Sequence, residues 1–183
     1  MELREFIRNV IRESLNEQKS FDDVKLNDNF WEWFKDSKVK DDGKPLPLYH
    51  GTRAKFNIFK PSKNVGNQGE TDQIEGVYFT TDRDAASFYS LADDDRYVKQ
   101  VFLSLKNPYF SDGVNELKRE LGVSKLSDVN KTLKIFGYDG LIMRKGFYTM
   151  GGPHVAYIAF YPNQIKSVHN DGSWDADDDN IYS

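Results

Sequence analysis

Asp41-Asp42-Gly43-Lys44-Pro45-Leu46-Pro47-Leu48-Tyr49-His50-Gly51-Thr52 marks the place where the pattern of the chain changes. From Asp41 onward, short apolar and aromatic runs are bounded by Gly, Pro, Asn and Asp, a spacing that reads as strands between turns. The first run is Leu46 to His50. Further strands are predicted near Gly76 to Thr80, Lys99 to Leu105, Gly140 to Arg144, Val155 to Phe160 and Gln164 to Val168. Three helical stretches interrupt them. Asp82 caps one that runs through Asp93, Asp112 or Gly113 begins one that ends before Gly122, and Ser127 caps one that stops at Gly137. Strand runs with segregated helices predict an α+β domain over residues 41–183. Residues 61 to 75 form a long polar loop with Gly66 and Gly69, the kind of insertion that borders a site.

Residues 1–40 read as an N-terminal helical segment. Leu3, Phe6, Ile7, Val10, Ile11 and Leu15 recur at the spacing of one helix face, which predicts an amphipathic helix over residues 2 to 17. That face either packs on its own domain or docks a partner or a second copy. A second helix is predicted at Phe30 to Lys35, and its Trp31, Trp33 and Phe34 are expected to bury against the body.

The 183 residues contain no cysteine, which removes disulfides, thiolate metal sites and Cys nucleophiles together. Any imidazole chemistry falls to His50, His154 and His169, which stand in separate segments without ligand spacing, so no metal is expected. The net charge is −4, but five aspartates crowd into the last thirteen residues, a tail expected to be solvated. The body that remains is close to neutral, which argues against a polyanion as the main partner. No apolar run approaches the roughly 18 residues needed to cross a bilayer, and no basic-then-apolar leader is present, so the chain is expected to be cytoplasmic. Gly-x-Gly-x-x-Gly, Walker-type, Gly-x-Ser-x-Gly and His-Glu-x-x-His motifs are all absent.

The informative segments are Leu48 to Thr52, then Gly76-Val77-Tyr78-Phe79-Thr80 followed by Ala85-Ala86-Ser87-Phe88-Tyr89, and last Ala156 to Ile165. In that order and spacing they resemble the ADP-ribosyltransferase fold of the His-Tyr-Glu type, shared by diphtheria toxin and the poly(ADP-ribose) polymerases. The nearest likeness is to the small ADP-ribosyltransferase-like domains of bacteriophage polyvalent proteins. Lys106-Asn107-Pro108, the Gly137 to Ile142 turn, Gln164-Ile165-Lys166-Ser167 and a tail with Asn170, Gly172 and Trp174 extend the likeness over roughly residues 46 to 181. The resemblance implies split mixed or antiparallel sheets with flanking helices. It also implies NAD as co-substrate and transfer of ADP-ribose to a macromolecular acceptor, a protein rather than a nucleic acid, in a phage-infected cell or from a packaged virion.

The site residues implied are His50 and Tyr78 as catalytic, with His50, Gly51, Thr52, Tyr78 and Tyr89 gripping NAD. His50 would bond an adenosine ribose hydroxyl, Gly51 would offer its backbone to the carboxamide, Thr52 would brace the turn, and Tyr78 and Tyr89 would sandwich nicotinamide. Ser87, Gln164 and Glu75 are secondary candidates. One departure matters: the position of the family's catalytic glutamate reads Ala156, and no Asp or Glu occurs from Lys145 to Asn170. Mono-ADP-ribosylation assisted by the acceptor's own carboxylate, a carboxylate supplied by Glu70, Asp72 or Glu75, and a non-catalytic NAD- or ADP-ribose-binding, structural or inhibitory phage protein all remain open. If the rest of the site is intact, a glutamate restored at Ala156 is expected to raise NAD turnover.

Overall fold

The computed structural model describes residues 26–61, 73–88, 97–149 and 152–183. The helix predicted over residues 2 to 17, most of the polar loop, and the far end of the helix that follows Asp82 lie outside them.

Helix α1 (Asp28–Phe34) starts where the Asn27 side chain accepts a hydrogen bond from the Phe30 N–H at 3.0 Å, an N-cap that satisfies one orphan donor. Its buried face carries Phe30, Trp33 and Phe34, which pack on Phe102, Val168 and Trp174. Trp31 differs from the expectation and is 45% exposed. At 3.6 residues per turn, position 31 points about 100° away from position 30 and misses the stripe.

Among the described residues, seven strands build two sheets beyond the short hairpin of β1 (Lys40–Asp41) and β2 (Lys44–Pro45). β3 (Leu48–Thr52), β5 (Tyr97–Leu103) and β9 (Ile165–Ser167) form an antiparallel sheet in the order β3-β5-β9. β4 (Val77–Phe79), β8 (Gly152–Ala159), β7 (Gly140–Thr149) and β6 (Pro108–Ser111) form the other, in the order β4-β8-β7-β6. Only the β6–β7 pair in that sheet is parallel. Leu48, Val101, Leu103 and Ile165 from the first sheet meet Val77, Phe79, Ile142 and Ala159 from the second in a shared inner core. The outer face of the four-stranded sheet is covered by α3 (Val114–Leu121) and α4 (Val129–Ile135) through Leu117, Val129 and Leu133. Helix α2 (Arg83–Phe88) packs against β3. The architecture is the expected α+β one.

Three motifs singled out in the sequence turn out to be one hydrogen-bonded knot. The Asp139 carboxylate accepts from the Lys106 and Asn107 N–H groups at 2.7 and 3.0 Å, and the Asn107 amide donates to the Gly137 carbonyl at 3.0 Å. Gln164 Nε2 donates to the Asp139 carbonyl at 2.9 Å. The knot seats the start of β7, where Gly140 passes so close that a Cβ would fall 2.9 Å from both the Ile158 carbonyl and the Leu105 side chain.

Two local expectations are corrected. Ser127 does not cap α4; it lies inside a 3₁₀ turn (Leu126–Asp128) that runs directly into the helix. The acidic tail is not simply solvated. Lys166, fully buried, donates from Nζ to the Asp178 and Asn180 carbonyls at 2.8 Å each, Ile181 inserts into the inner core, and Trp174 packs on α1. The aspartate side chains reach solvent while their backbone is stitched down, because the buried ammonium needs oxygen partners.

Candidate functional site

The two sheets touch at β3 and β4. Tyr49 and Thr80 exchange backbone hydrogen bonds, Tyr49 N–H to the Thr80 carbonyl at 2.8 Å and Thr80 N–H to the Tyr49 carbonyl at 3.1 Å. Gly51 lies two residues further along β3 from this isolated bridge, and Tyr78 two residues before it on β4. His50 bridges the same seam with its side chain, its Nδ1 lying 2.8 Å from the Tyr78 carbonyl. A carbonyl only accepts, so Nδ1 carries the proton and Nε2 is the acceptor nitrogen of the ring. Phe59 meets the imidazole edge-on at 4.9 Å and Phe79 lies at 5.5 Å.

Although part of its edge still reaches solvent, the His50 ring sits deep enough that burial pulls its pKa down to about 4, against the upward pull of the Tyr78 carbonyl and with help from the Lys99 charge. The ring is therefore neutral at physiological pH, in a single tautomer, with an acceptor suited to a hydroxyl. Thr52 Oγ1 accepts from the Ala54 N–H at 3.2 Å and ties the turn after β3.

Tyr78 turns its ring to the face of the sheet that carries Ile158, its cross-strand partner, and donates its hydroxyl to the Ile74 carbonyl at 2.8 Å. Burial raises the pKa of that phenol, so it stays protonated. Tyr89 lies outside the described residues, as do Glu70 and Asp72. Ser87 sits partly buried near the end of α2, beside the buried Ala86.

Glu75 lies against α4. With Asn130, Lys131 and Lys134 it borders an open cavity of about 590 Å³ against α4, and its carbonyl accepts from Asn130 Nδ2 at 2.7 Å. None of His50, Gly51, Thr52, Tyr78 and Ser87 lines that cavity. The Gln164 amide is engaged internally: Oε1 accepts from the Phe160 and Tyr161 N–H groups at 3.1 and 2.9 Å, and Nε2 serves the Asp139 knot.

Ala156 lies on β8 opposite Met143, on the Tyr78 face, and is fully buried. A bulge in β7 between Met143 and Phe147 brings Gly146 over it, so that a Cβ on Gly146 would come within 2.2 Å of the Ala156 Cβ. The two positions are small together because the strands approach that closely.

One pair of groups escaped the sequence reading. Asp82 Oδ2 lies 3.3 Å from His154 Nδ1, with side chains 40% and 16% exposed. The local sequence marks Asp82 only as a helix cap, a role it also fills by accepting from the Asp84 and Ala85 N–H groups at 2.9 and 3.0 Å. Continued by three residues past Phe79 and Tyr157, the β4–β8 register puts Asp82 opposite His154. That pairing is a long-range fact, and no local signal could have supplied it.

Among the described residues, no helix is long and apolar enough to cross a membrane. A search of curated proteins gave no match for the chain. A family model does match: residues 40–175, which contain the β3–β4 seam, the Asp139 knot and Ala156, fit the model described as ADP-ribosyltransferase in polyvalent proteins, and the chain belongs to that family.

Proposed function

We propose that this protein is an NAD-dependent mono-ADP-ribosyltransferase of phage origin that modifies a protein acceptor. The observation that supports this best is the β3–β4 seam, where a neutral His50 is held in one tautomer beside Gly51 and the Tyr78 strand. In this reading His50 Nε2 accepts from a ribose hydroxyl of NAD, the Gly51 backbone meets the carboxamide, Thr52 steadies the turn, and Tyr78 supplies part of the wall against nicotinamide. NAD brings the bond that breaks, between the ribose carbon and the nicotinamide nitrogen. Chain elongation needs a group at position 156 that seats a sugar hydroxyl of ADP-ribose as the acceptor, and Ala156 supplies none. Transfer therefore stops at one group per acceptor site.

The test is incubation with NAD and the proteins of a bacterial extract, followed by assay of free nicotinamide and of modified peptides by mass spectrometry. Single ADP-ribose increments with nicotinamide release support the proposal, and polymer refutes the one-group limit. A second reading, a module that binds NAD without transferring it, draws on the buried Ala156 closed over by Gly146. NAD binding without any nicotinamide release would favour it.

A further inference from the structure

Transfer to an acceptor leaves one chemical task without a residue. The attacking nucleophile must lose its proton, and position 156 carries a methyl group. Asp82 and His154 stand beside that gap. By strand alternation His154 shares the face of β8 that carries Ala156 and Ile158, and two residues of strand rise separate it from Ala156 by about 7 Å. Asp82 is held by the two N–H groups that donate to its Oδ1, which aims Oδ2 at His154 Nδ1, 3.3 Å away. The negative charge of Asp82 beside Nδ1 favours the tautomer with its proton on that nitrogen, which leaves Nε2 as the basic one. At 16% exposure, the His154 side chain is sheltered yet reaches the surface.

Resting on the transferase reading above, we propose that His154, oriented by Asp82, is the general base for the acceptor, and that the acceptor is a protein hydroxyl on Ser, Thr or Tyr. The acceptor class follows from the base. A carboxylate nucleophile is already ionised near neutral pH and gains nothing from an imidazole, whereas a hydroxyl must shed its proton as the new bond forms. The hydroxyl oxygen bonds to C1′ of the nicotinamide ribose while the bond from C1′ to the ring nitrogen breaks. That electron pair stays on nicotinamide, which leaves neutral. The hydroxyl proton passes to His154 Nε2, the imidazolium is stabilised by the Asp82 carboxylate, and the proton then goes to water.

The experiment uses the full chain, NAD labelled in its adenine, and the proteins of a bacterial extract. Wild type is compared with His154→Gln, His154→Ala and Asp82→Asn. Asparagine keeps the acceptor that caps α2 and removes only the charge facing His154, so that variant stays folded if the glutamine one does not. Wild-type label is expected to resist neutral hydroxylamine, which cleaves ester-linked ADP-ribose, and to map to hydroxyl residues. Transfer is expected to fall about 100-fold or more in His154→Gln and at least about tenfold in Asp82→Asn, with NAD affinity unchanged. Added imidazole restores part of the rate to His154→Ala, which a merely structural histidine would not allow. Label removed by hydroxylamine, or full transfer by His154→Gln or Asp82→Asn, overturns this proposal and leaves the transferase reading standing. A wild type that releases no nicotinamide overturns both.

Discussion

His50 couples site chemistry to stability through its burial. Its folded pKa of about 4 lies below the ordinary 6.5, so between those values the unfolded chain binds a proton that the folded chain refuses. The contribution to stability is complete above about pH 6.5 and is lost as the pH falls toward 4. From pH 7 to pH 5 the loss amounts to about 2 kcal/mol. Urea unfolding of wild type and His50→Gln at those two pH values checks this: the glutamine variant should lose less by about that amount, and equal losses would remove the buried histidine from the account. The importance of His50 was legible in the His-Gly-Thr segment itself. Its tautomer was not, because the carbonyl that fixes it belongs to Tyr78, 28 residues away. The same limit hid the partnership of Asp82 with His154, for Asp82 is locally a cap and His154 locally a lone histidine.

Among the elements, the β7–β8 ladder decides what position 156 can hold. From sequence alone, a glutamate restored at Ala156 should speed NAD turnover. The structure reverses that expectation, because Ala156 is fully buried under the β7 bulge and the Gly146 backbone leaves no space for a longer side chain. Ala156→Glu should cost at least about 3 kcal/mol and lower the melting temperature, with no gain in nicotinamide release. A variant as stable as wild type with faster turnover would contradict the packing described. Most strands were legible as short apolar runs between turn residues, with ends displaced by a few positions. β6 was not, since its Phe110 is 62% exposed and it exists as a strand through parallel pairing with β7 across the α3–α4 crossover. The Lys-Asn-Pro and Gly-Tyr-Asp-Gly turns were legible as motifs, but not as the two halves of one clasp around Asp139.

Among the described residues, the three-stranded and four-stranded sheets meet at the β3–β4 seam, with a core between them, a second core under α3 and α4, and a third between α1 and the C-terminal tail. The C-terminal tail closes the structure from outside. Five aspartates made it look solvated, whereas Lys166, Trp174 and Ile181 bind its backbone and apolar side chains to the body. Charge counts carry no sign of a buried lysine seeking carbonyls, so that part of the fold was hidden. The family match over residues 40–175 reaches from the hairpin before β3 into this tail. In the function proposed above, the seam around His50 holds NAD. Calorimetric titration of NAD into the wild-type chain and into His50→Ala tests it most directly. The expected result is one NAD bound per wild-type chain and binding weakened at least about tenfold in His50→Ala, the loss of one hydrogen bond to a sheltered polar group. No binding by the wild type, or equal affinity in both, would contradict it.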